Sequence, residues 1–246
     1  MGVVRSILKA IDHVLAPPVC PVCGEALAEE REDGRLCGRC RSLVEEDGGA
    51  RRCRLCGSGM DTALDFCADC AAAKRPWKAG TCAFPYEGEL AQWILAYKFG
   101  GRTAMAPFFI RLPPAKTAWR IAWKRDCGDF QVDAVVPIPL HWRRLCQRGF
   151  NQAEILARGV AKGLGVDCLP ALKRVHSTGH QARLAGASRR KNLRNAFRVA
   201  RADLVDSRRI LVVDDVFTTG STLSAACQAL LNAGAAETAV LAMARA

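Results

Sequence analysis

The chain has 246 residues, half of them apolar, with a formal net charge of +12 and an isoelectric point of about 9.3. This apolar content is enough for a packed core and excludes a disordered chain. No stretch reaches the roughly 20 apolar residues of a transmembrane helix, so we expect no membrane span. Residues 1–18 have apolar side chains at helical spacing, interrupted by charges. They predict a short packing helix rather than a signal peptide, and we expect a cytoplasmic protein.

Eight cysteines before residue 71 form four C-x-x-C pairs. Two thiols separated by two residues can bind one tetrahedral ion, and two such pairs complete a four-thiolate site that suits zinc. The pattern therefore predicts a double zinc ribbon over residues 19–75, with two structural Zn²⁺ ions. The predicted ligands are Cys20, Cys23, Cys37, Cys40, Cys53, Cys56, Cys67 and Cys70.

The spacing of the pairs favours one pairing scheme. Gly24 and Gly57 follow the first and third pairs, where glycine relieves a tight turn, and the next pair comes 13 or 10 residues later. We expect sequential pairing, although an interleaved arrangement fits the same spacing. An iron–sulfur cluster is the main alternative to zinc, since a redox motif would explain one pair only. The remaining thiols are expected to be buried or half-buried: Cys82, Cys127, Cys146, Cys168 and Cys227.

The positive charge is concentrated in one segment. Residues 1–80 hold 12 basic and 12 acidic side chains, whereas residues 141–209 hold 16 basic and 4 acidic ones. This concentration favours a polyanionic partner, either a phosphorylated metabolite or nucleic acid, over general solubility.

Beyond the cysteines, helical and strand patterns alternate. Residues 71–80 contain Pro76 and Gly80 and predict a linker to a domain at 81–246. The elements predicted after it are a strand near 81–86, a helix at about 89–99, a strand at 134–137, a helix at 151–165, a strand region at 167–175, a strand at 208–216, a helix at 221–234 and a last strand at 237–246. The predicted fold class is therefore α/β, a mostly parallel sheet with helices on both faces behind a small N-terminal zinc ribbon.

The stretch "ILVVDDVFTTGST" (210–222) joins a buried strand to two adjacent carboxylates, Asp214 and Asp215, and a hydroxyl-rich turn. In a parallel sheet, ligands bind where strands end and helices begin. The turn therefore predicts a phosphate site, formed by backbone amides and a helix N-terminus. The two acids suit sugar hydroxyls, magnesium or transient positive charge on a ribose ring.

This stretch resembles the phosphoribosyl pyrophosphate (PRPP) motif of type I phosphoribosyltransferases. Together with "YKFGG" (97–101), "VVPIPLHWRRLCQRGFNQAEILA" (135–157), "TGHQARLAGASRRKNLRNAF" (178–197) and the cysteine pairs, it is similar to the ComF family of bacterial competence proteins, including ComFC-like and GntX-like members. The resemblance runs from about Cys20 to the end of the chain. It implies a phosphoribosyltransferase fold that binds PRPP with Mg²⁺ and a function linked to DNA uptake and natural transformation.

The resemblance also implies roles for individual residues. Asp214 and Asp215 would bind the ribose hydroxyls and stabilise an oxocarbenium-like transition state. The residues implied to hold the 5-phosphate are Thr218, Thr219, Gly220, Ser221 and Thr222. The implied pyrophosphate loop and its basic contacts are Pro137, Ile138, Pro139, Leu140, Arg143, Arg144 and Arg148. The segment 174–195 corresponds to a mobile loop with matching polar positions at Arg174, Thr178, Gln181, Arg190 and Asn195.

Two classes of function remain open at this stage. The first is an enzyme that transfers the phosphoribosyl group of PRPP to an unknown nitrogen acceptor, and the two aspartates favour it. The second is a non-catalytic competence factor that senses the metabolite or binds single-stranded DNA, with DNA-uptake proteins as possible partners. Trp119, Trp123 and Trp142 lie near basic residues and would suit base stacking, although core packing is the commoner role of tryptophan.

Overall fold

The structure is a computed structural model that divides into two compact units, Met1–Gly48 and Gly49–Ala246. It describes residues 25–26, 51–61, 63–86, 88, 91–92, 94–95, 118–128, 130–175 and 196–246. The description below concerns the second unit. The predicted N-terminal helix, the first two C-x-x-C pairs and most of the predicted helix 89–99 lie outside the described residues.

A five-stranded sheet forms the centre of the described part of the second unit, and all its strand pairs are parallel. Its strands are β1 (Ala79–Pro85), β2 (Ala134–Pro137), β3 (Asp167–Cys168), β6 (Arg209–Phe217) and β7 (Glu237–Arg245), in the spatial order β1-β7-β6-β2-β3. The strands β4 (Leu172–Arg174) and β5 (Phe197–Val199) form a separate antiparallel pair. The predicted parallel sheet is confirmed, and its central strands are the continuous apolar runs that sheets covered on both faces require.

Five α-helices with described bounds lie around these strands, and residues 91–92 and 94–95, within the predicted helix 89–99, are also helical. The five helices are α1 (Ala68–Ala73), α2 (Ala118–Cys127), α3 (Trp142–Arg148), α4 (Gln152–Leu164) and α5 (Ser221–Asn232). The predicted bounds of α4 are confirmed: the Asn151 side chain accepts from the Ala153 amide at its start, and Gly165 ends it with φ 73°.

Helices cover both faces of the sheet. Trp119 of α2 and Leu156 of α4 line the same small cavity as Val213 of β6. Leu223 of α5 belongs to the hydrophobic core that includes Val212. Val212 and Val213 are consecutive strand residues, so their side chains point to opposite faces. None of the helices that the structure describes has the length and apolar character needed to cross a bilayer.

The second half of the cysteine-rich region packs directly on strand β1. The Gly80 amide donates to the Arg54 carbonyl at 2.8 Å, and the Trp77 indole donates to the Leu55 carbonyl at 2.8 Å. A Cβ at Gly57 would lie only 2.5 Å from the Cys82 amide nitrogen, so the two backbones meet without space for a side chain. The segment predicted as a linker therefore carries a buried tryptophan and structural hydrogen bonds.

Candidate functional site

The two predicted acids lie near the carboxyl end of β6, the strand between β2 and β7. Asp214 and Asp215 are both half-buried, and the Asp215 amide donates to Asp214 Oδ1 at 2.8 Å. Strand β2 ends beside them, since Pro137 pairs with Val213. The carboxylates therefore occupy the edge where parallel sheets of this kind bind ligands.

The hydroxyl-rich turn connects β6 to the first residue of α5. Thr218 and Thr219 are exposed, Gly220 has φ 73°, and the hydroxyls of Thr219 and Ser221 lie 2.8 Å apart. Helix α5 has twelve residues, with Thr222 half-buried in its first turn. The free amides of a helix start and its positive dipole end attract anions, so this turn has the chemistry of a phosphate site.

The segment after β2 runs along the same edge. The Ile138 amide donates to the Val213 carbonyl at 2.9 Å, and the Asn151 side-chain amide donates to the Ile138 carbonyl at 3.1 Å. Pro139 and Leu140 are half-buried, and the His141 ring accepts from the Arg143 amide to cap α3. Asn151, predicted only as a helix cap, thus also holds the predicted pyrophosphate loop.

Two predicted arginines, Arg148 and Arg174, lie within electrostatic reach of the acids, and Arg144 lies within reach of both arginines. Burial lowers the pKa of Arg148, nearby Asp215 opposes that change, and Arg144 adds to it. Burial likewise lowers the pKa of Arg174, with Arg144 adding to the change and Asp214 opposing it. Three guanidiniums therefore share the site with two carboxylates, an excess of positive charge that a bound polyanion would balance. Arg143 is exposed and lies over the Trp142 ring instead, 5.3 Å from its centroid.

The third and fourth cysteine pairs form a cluster, as sequential pairing predicts. The sulfur atoms of Cys53, Cys56, Cys67 and Cys70 lie within 4.8 Å of one another, and those of Cys56 and Cys67 are 3.7 Å apart. A regular tetrahedron with Zn–S bonds of about 2.3 Å has edges of about 3.8 Å, so the donor set fits zinc. Three of the four residues are buried.

The close packing of the four thiols also indicates that the cluster holds a cation. Hydrogen bonds from Cys53 and Cys70 lower the pKa of Cys56 far below its ordinary value, while hydrogen bonds to Cys53 and Cys56 raise that of Cys70. Sulfur atoms this close cannot all become thiolates unless positive charge joins them. The four-cysteine cluster is therefore a candidate zinc site.

The other cysteines and tryptophans have distinct environments. Cys82, Cys127 and Cys227 are buried and Cys168 is half-buried, as predicted, and burial raises the pKa of Cys227 to about 12. Cys146 is exposed, contrary to the prediction, because α3 buries none of its residues. Trp119 and Trp123 are core residues, whereas Trp142 on α3 is 62% exposed.

Several predicted site residues lie outside the described part of the chain. They are Cys20, Cys23, Cys37 and Cys40 of the first ribbon and Thr178, Gln181, Arg190 and Asn195 of the predicted mobile loop. The described residues nevertheless bring together both aspartates, the turn at residues 218–222, the segment after β2 and Arg174.

Comparison with known proteins identifies two domains and several relatives. Residues 121–246 match the phosphoribosyl transferase domain family, and residues 11–71 match the double zinc ribbon domain. The DNA utilization protein YhgH of Escherichia coli K12 is 31% identical over 221 residues, covering 89% of this chain and 93% of its own. Competence protein F of Haemophilus influenzae is 30% identical over 218 residues, covering 86% and 90%. Competence protein ComFC of Bacillus subtilis is 23% identical over 239 residues, covering 89% and 90%.

The two domain matches cover all four cysteine pairs and four of the five strands of the sheet, and two of the relatives match at 30% identity or more over most of both chains. The parallel five-stranded sheet with helices on both faces agrees with a phosphoribosyltransferase-like fold. The chain therefore belongs to the ComF/YhgH family of competence proteins, which combine a double zinc ribbon with a phosphoribosyltransferase domain.

Proposed function

We propose that the protein binds the magnesium complex of PRPP at the carboxyl edge of its sheet and transfers the phosphoribosyl group to a nitrogen acceptor. The observation that carries the proposal is the junction of β6 and α5. Two half-buried carboxylates there are followed within a few residues by a glycine turn at a helix N-terminus. A site for phosphate alone would have no use for Asp214 and Asp215, whereas a ribose phosphate needs both features.

Each part of PRPP has a matching group at this edge. The 5-phosphate accepts hydrogen bonds from the amides and hydroxyls between Thr218 and Thr222, at the positive end of α5. The ribose hydroxyls donate to Asp214 and Asp215. The diphosphate and its magnesium lie toward the segment after β2, where Arg148 supplies positive charge near Asp215 and Arg144 lies near Arg148.

The proposed reaction is a substitution at the anomeric carbon. A nitrogen lone pair forms the new bond to C1 as the bond between C1 and the diphosphate oxygen breaks, and the diphosphate leaves with that electron pair. The acceptor nitrogen then loses its proton to solvent. Positive charge develops on the ring in the transition state, and Asp214 and Asp215 stabilise it electrostatically. The arginines stabilise the charge that the leaving group gains.

The wider role we propose follows from the relatives' names. Proteins called competence protein F, competence protein ComFC and DNA utilization protein share most of this chain's length. We infer that the present protein also serves DNA uptake. We further propose that the first ribbon, with Cys20, Cys23, Cys37 and Cys40, binds a second zinc ion.

One observation favours a second candidate, a surface for single-stranded DNA. Helix α3 buries no residue and presents Trp142 with 62% of its surface exposed, beside Arg143 and Arg144. An exposed tryptophan among arginines suits stacking on unpaired bases together with phosphate contacts. In this alternative the protein is a DNA-binding or metabolite-sensing competence factor without turnover.

Titration calorimetry with magnesium–PRPP tests the first candidate. Asp214→Asn and Asp215→Asn keep the side-chain shape, and each removes charge-assisted hydrogen bonds worth about 1.5–3 kcal/mol, which corresponds to a loss of about tenfold to a hundredfold in affinity. Diphosphate release should fall further than binding if the acids also stabilise the transition state. Asp167→Asn is the matched control, because Asp167 is exposed at the start of β3.

The two candidates predict different responses to salt. Binding of single-stranded DNA should weaken by about 0.7 log units per log unit of salt for each contacted phosphate. Trp142→Ala should weaken DNA binding and leave PRPP affinity unchanged. Unaltered PRPP affinity in the Asp214→Asn/Asp215→Asn double variant would refute the first candidate.

A further inference from the structure

We propose that the second zinc ribbon supports the phosphate-binding turn through Arg75 and Arg245, so that metal in the ribbon sets anion affinity at the turn. This inference rests on the proposed function for the identity of the anion. It concerns residues 51–80 and 217–245, which belong to one compact unit.

Two arginines bind consecutive carbonyl groups of the turn. Arg245 Nη1 donates to the Thr218 carbonyl at 2.6 Å, and Arg75 Nη1 donates to the Thr219 carbonyl at 2.9 Å. Arg75 lies two residues beyond α1, the helix that contains the zinc-site residue Cys70. The turn is thus held from the ribbon side and from the end of β7.

These contacts orient the amides of the turn. The described residues contain no cis peptide bond, and in a trans peptide the C=O and the following N–H point in opposite directions. Fixing the Thr218 and Thr219 carbonyls on the guanidinium side therefore directs the amides of Thr219 and Gly220 to the opposite side. Those amides are the donors that a phosphate at this turn requires. The positive guanidinium beside each carbonyl oxygen also polarises the peptide group, which makes its N–H a stronger hydrogen-bond donor.

Arg245 also connects the turn to the zinc cluster itself. Its Nε donates to Ser58 Oγ at 3.1 Å, and Ser58 Oγ lies 3.2 Å from Cys56 Sγ. The Arg245 guanidinium can only donate, so it holds Ser58 and the Thr218 carbonyl at the same time. The position of Ser58 beside the zinc-site sulfur of Cys56 therefore helps to fix the side chain that holds the turn.

An aromatic pair keeps both guanidiniums in place. The Phe217 and Trp77 rings pack edge to face, with 6.0 Å between their centroids. The guanidiniums of Arg75 and Arg245 lie 5.6 and 4.9 Å from the centroid of the Phe217 ring. The Trp77 indole is in turn bonded to the Leu55 carbonyl between two zinc-site cysteines. Loss of the ribbon's fold would therefore release Trp77, Phe217 and both arginines together.

The test measures binding of magnesium–PRPP and zinc content in the full chain. Arg75→Met and Arg245→Met should each lower PRPP affinity about tenfold, with zinc content unchanged. Arg75→Lys keeps a cationic donor and should restore most of that affinity. Arg51→Met is the matched control, because Arg51 Nη1 donates to the Ala63 carbonyl inside the ribbon and does not contact the turn. Its affinity for PRPP should equal that of the wild type.

Reciprocity gives a readout that a merely structural role would not change. If zinc raises PRPP affinity by some factor, saturating PRPP must raise zinc affinity by the same factor. Competition with a zinc chelator should show this gain in the wild type and a smaller gain in Arg75→Met. Equal zinc affinity with and without bound PRPP would overturn the coupling.

Hydrogen exchange separates this inference from the proposed function. In Arg75→Met and Arg245→Met, the amides of residues 217–222 should exchange faster than in the wild type, with no ligand present. If the wild-type protein does not bind PRPP, the proposed function is refuted. The exchange result would still show whether Arg75 and Arg245 stabilise the turn. Unchanged exchange in both variants would refute that support.

Discussion

Replacing Gly220 by alanine tests how tightly the turn between β6 and α5 is packed. The backbone at Gly220 has φ +73°, and an added Cβ would lie 2.7 Å from Phe217 Cζ and 2.9 Å from Arg75 Nη1. Arg75 can shift because it is the end of a flexible side chain. The Phe217 ring cannot shift as easily, because Trp77 and Arg245 pack against it.

The expected magnitude has two parts. An alanine in the left-handed region costs about 1 kcal/mol, and forcing a methyl group into a packed ring adds about 1–3 kcal/mol. Gly220→Ala should therefore lower the free energy of unfolding by about 2–4 kcal/mol. Gly165→Ala is the matched control, because Gly165 has the same φ of +73° and a Cβ there would meet nothing within 4 Å. It should lose about 1 kcal/mol.

Urea unfolding followed by tryptophan fluorescence measures both variants, with equal m-values required for the comparison. Calorimetry on the same samples should show weaker PRPP binding for Gly220→Ala and wild-type binding for Gly165→Ala. Equal destabilisation of the two variants, within about 0.5 kcal/mol, would show that Phe217 does not limit space at the turn and would refute the packing argument.

Two further predictions concern the metal and the response to acid. Elemental analysis should find about two zinc ions per chain, and Cys20→Ser and Cys53→Ser should each remove one; a folded protein free of zinc would contradict the double ribbon. Hydrogen bonds from Arg209 lower the pKa of Asp133 to about 2. The pair therefore contributes its full stabilisation at pH values above the ordinary carboxyl pKa of about 3.9. This contribution is lost as the pH falls toward 2. Asp133→Asn should therefore lose less stability than the wild type between about pH 4 and pH 2 in urea titrations. The control Asp167→Asn, exposed at the start of β3, should match the wild type.

Local patterns in the sequence account for the parts of the fold that are predictable. The apolar runs of β2, β6 and β7 identify a parallel sheet because they bury both faces. The acids at 214–215 and the turn after them are contiguous in the chain, so their proximity needs no tertiary contact. The C-x-x-C spacing likewise forms half a metal site from four consecutive residues.

Contacts between distant residues account for what the sequence does not reveal. Arg75 and Thr219 are 144 residues apart, and Arg245 and Ser58 are 187 apart, so no periodicity relates them. Arg75 stands in a segment whose proline and glycine predict a linker. Trp119 and Trp142 show the same limit: both lie on helices beside arginines, yet one is buried and the other exposed. Which helix covers the sheet is decided by the packing of whole elements.

The alternation of strand β6 explains why two carboxylates can stand side by side at a half-buried position. Consecutive strand residues point to opposite faces, so Asp214 and Asp215 do not project in the same direction. Their cationic neighbours differ accordingly, with Arg174 of β4 near Asp214 and Arg148 of α3 near Asp215. Each acid is thus balanced by an arginine of a different element. The separation of the two carboxylates across the strand and the two arginines both reduce the repulsion that adjacent acids would otherwise have.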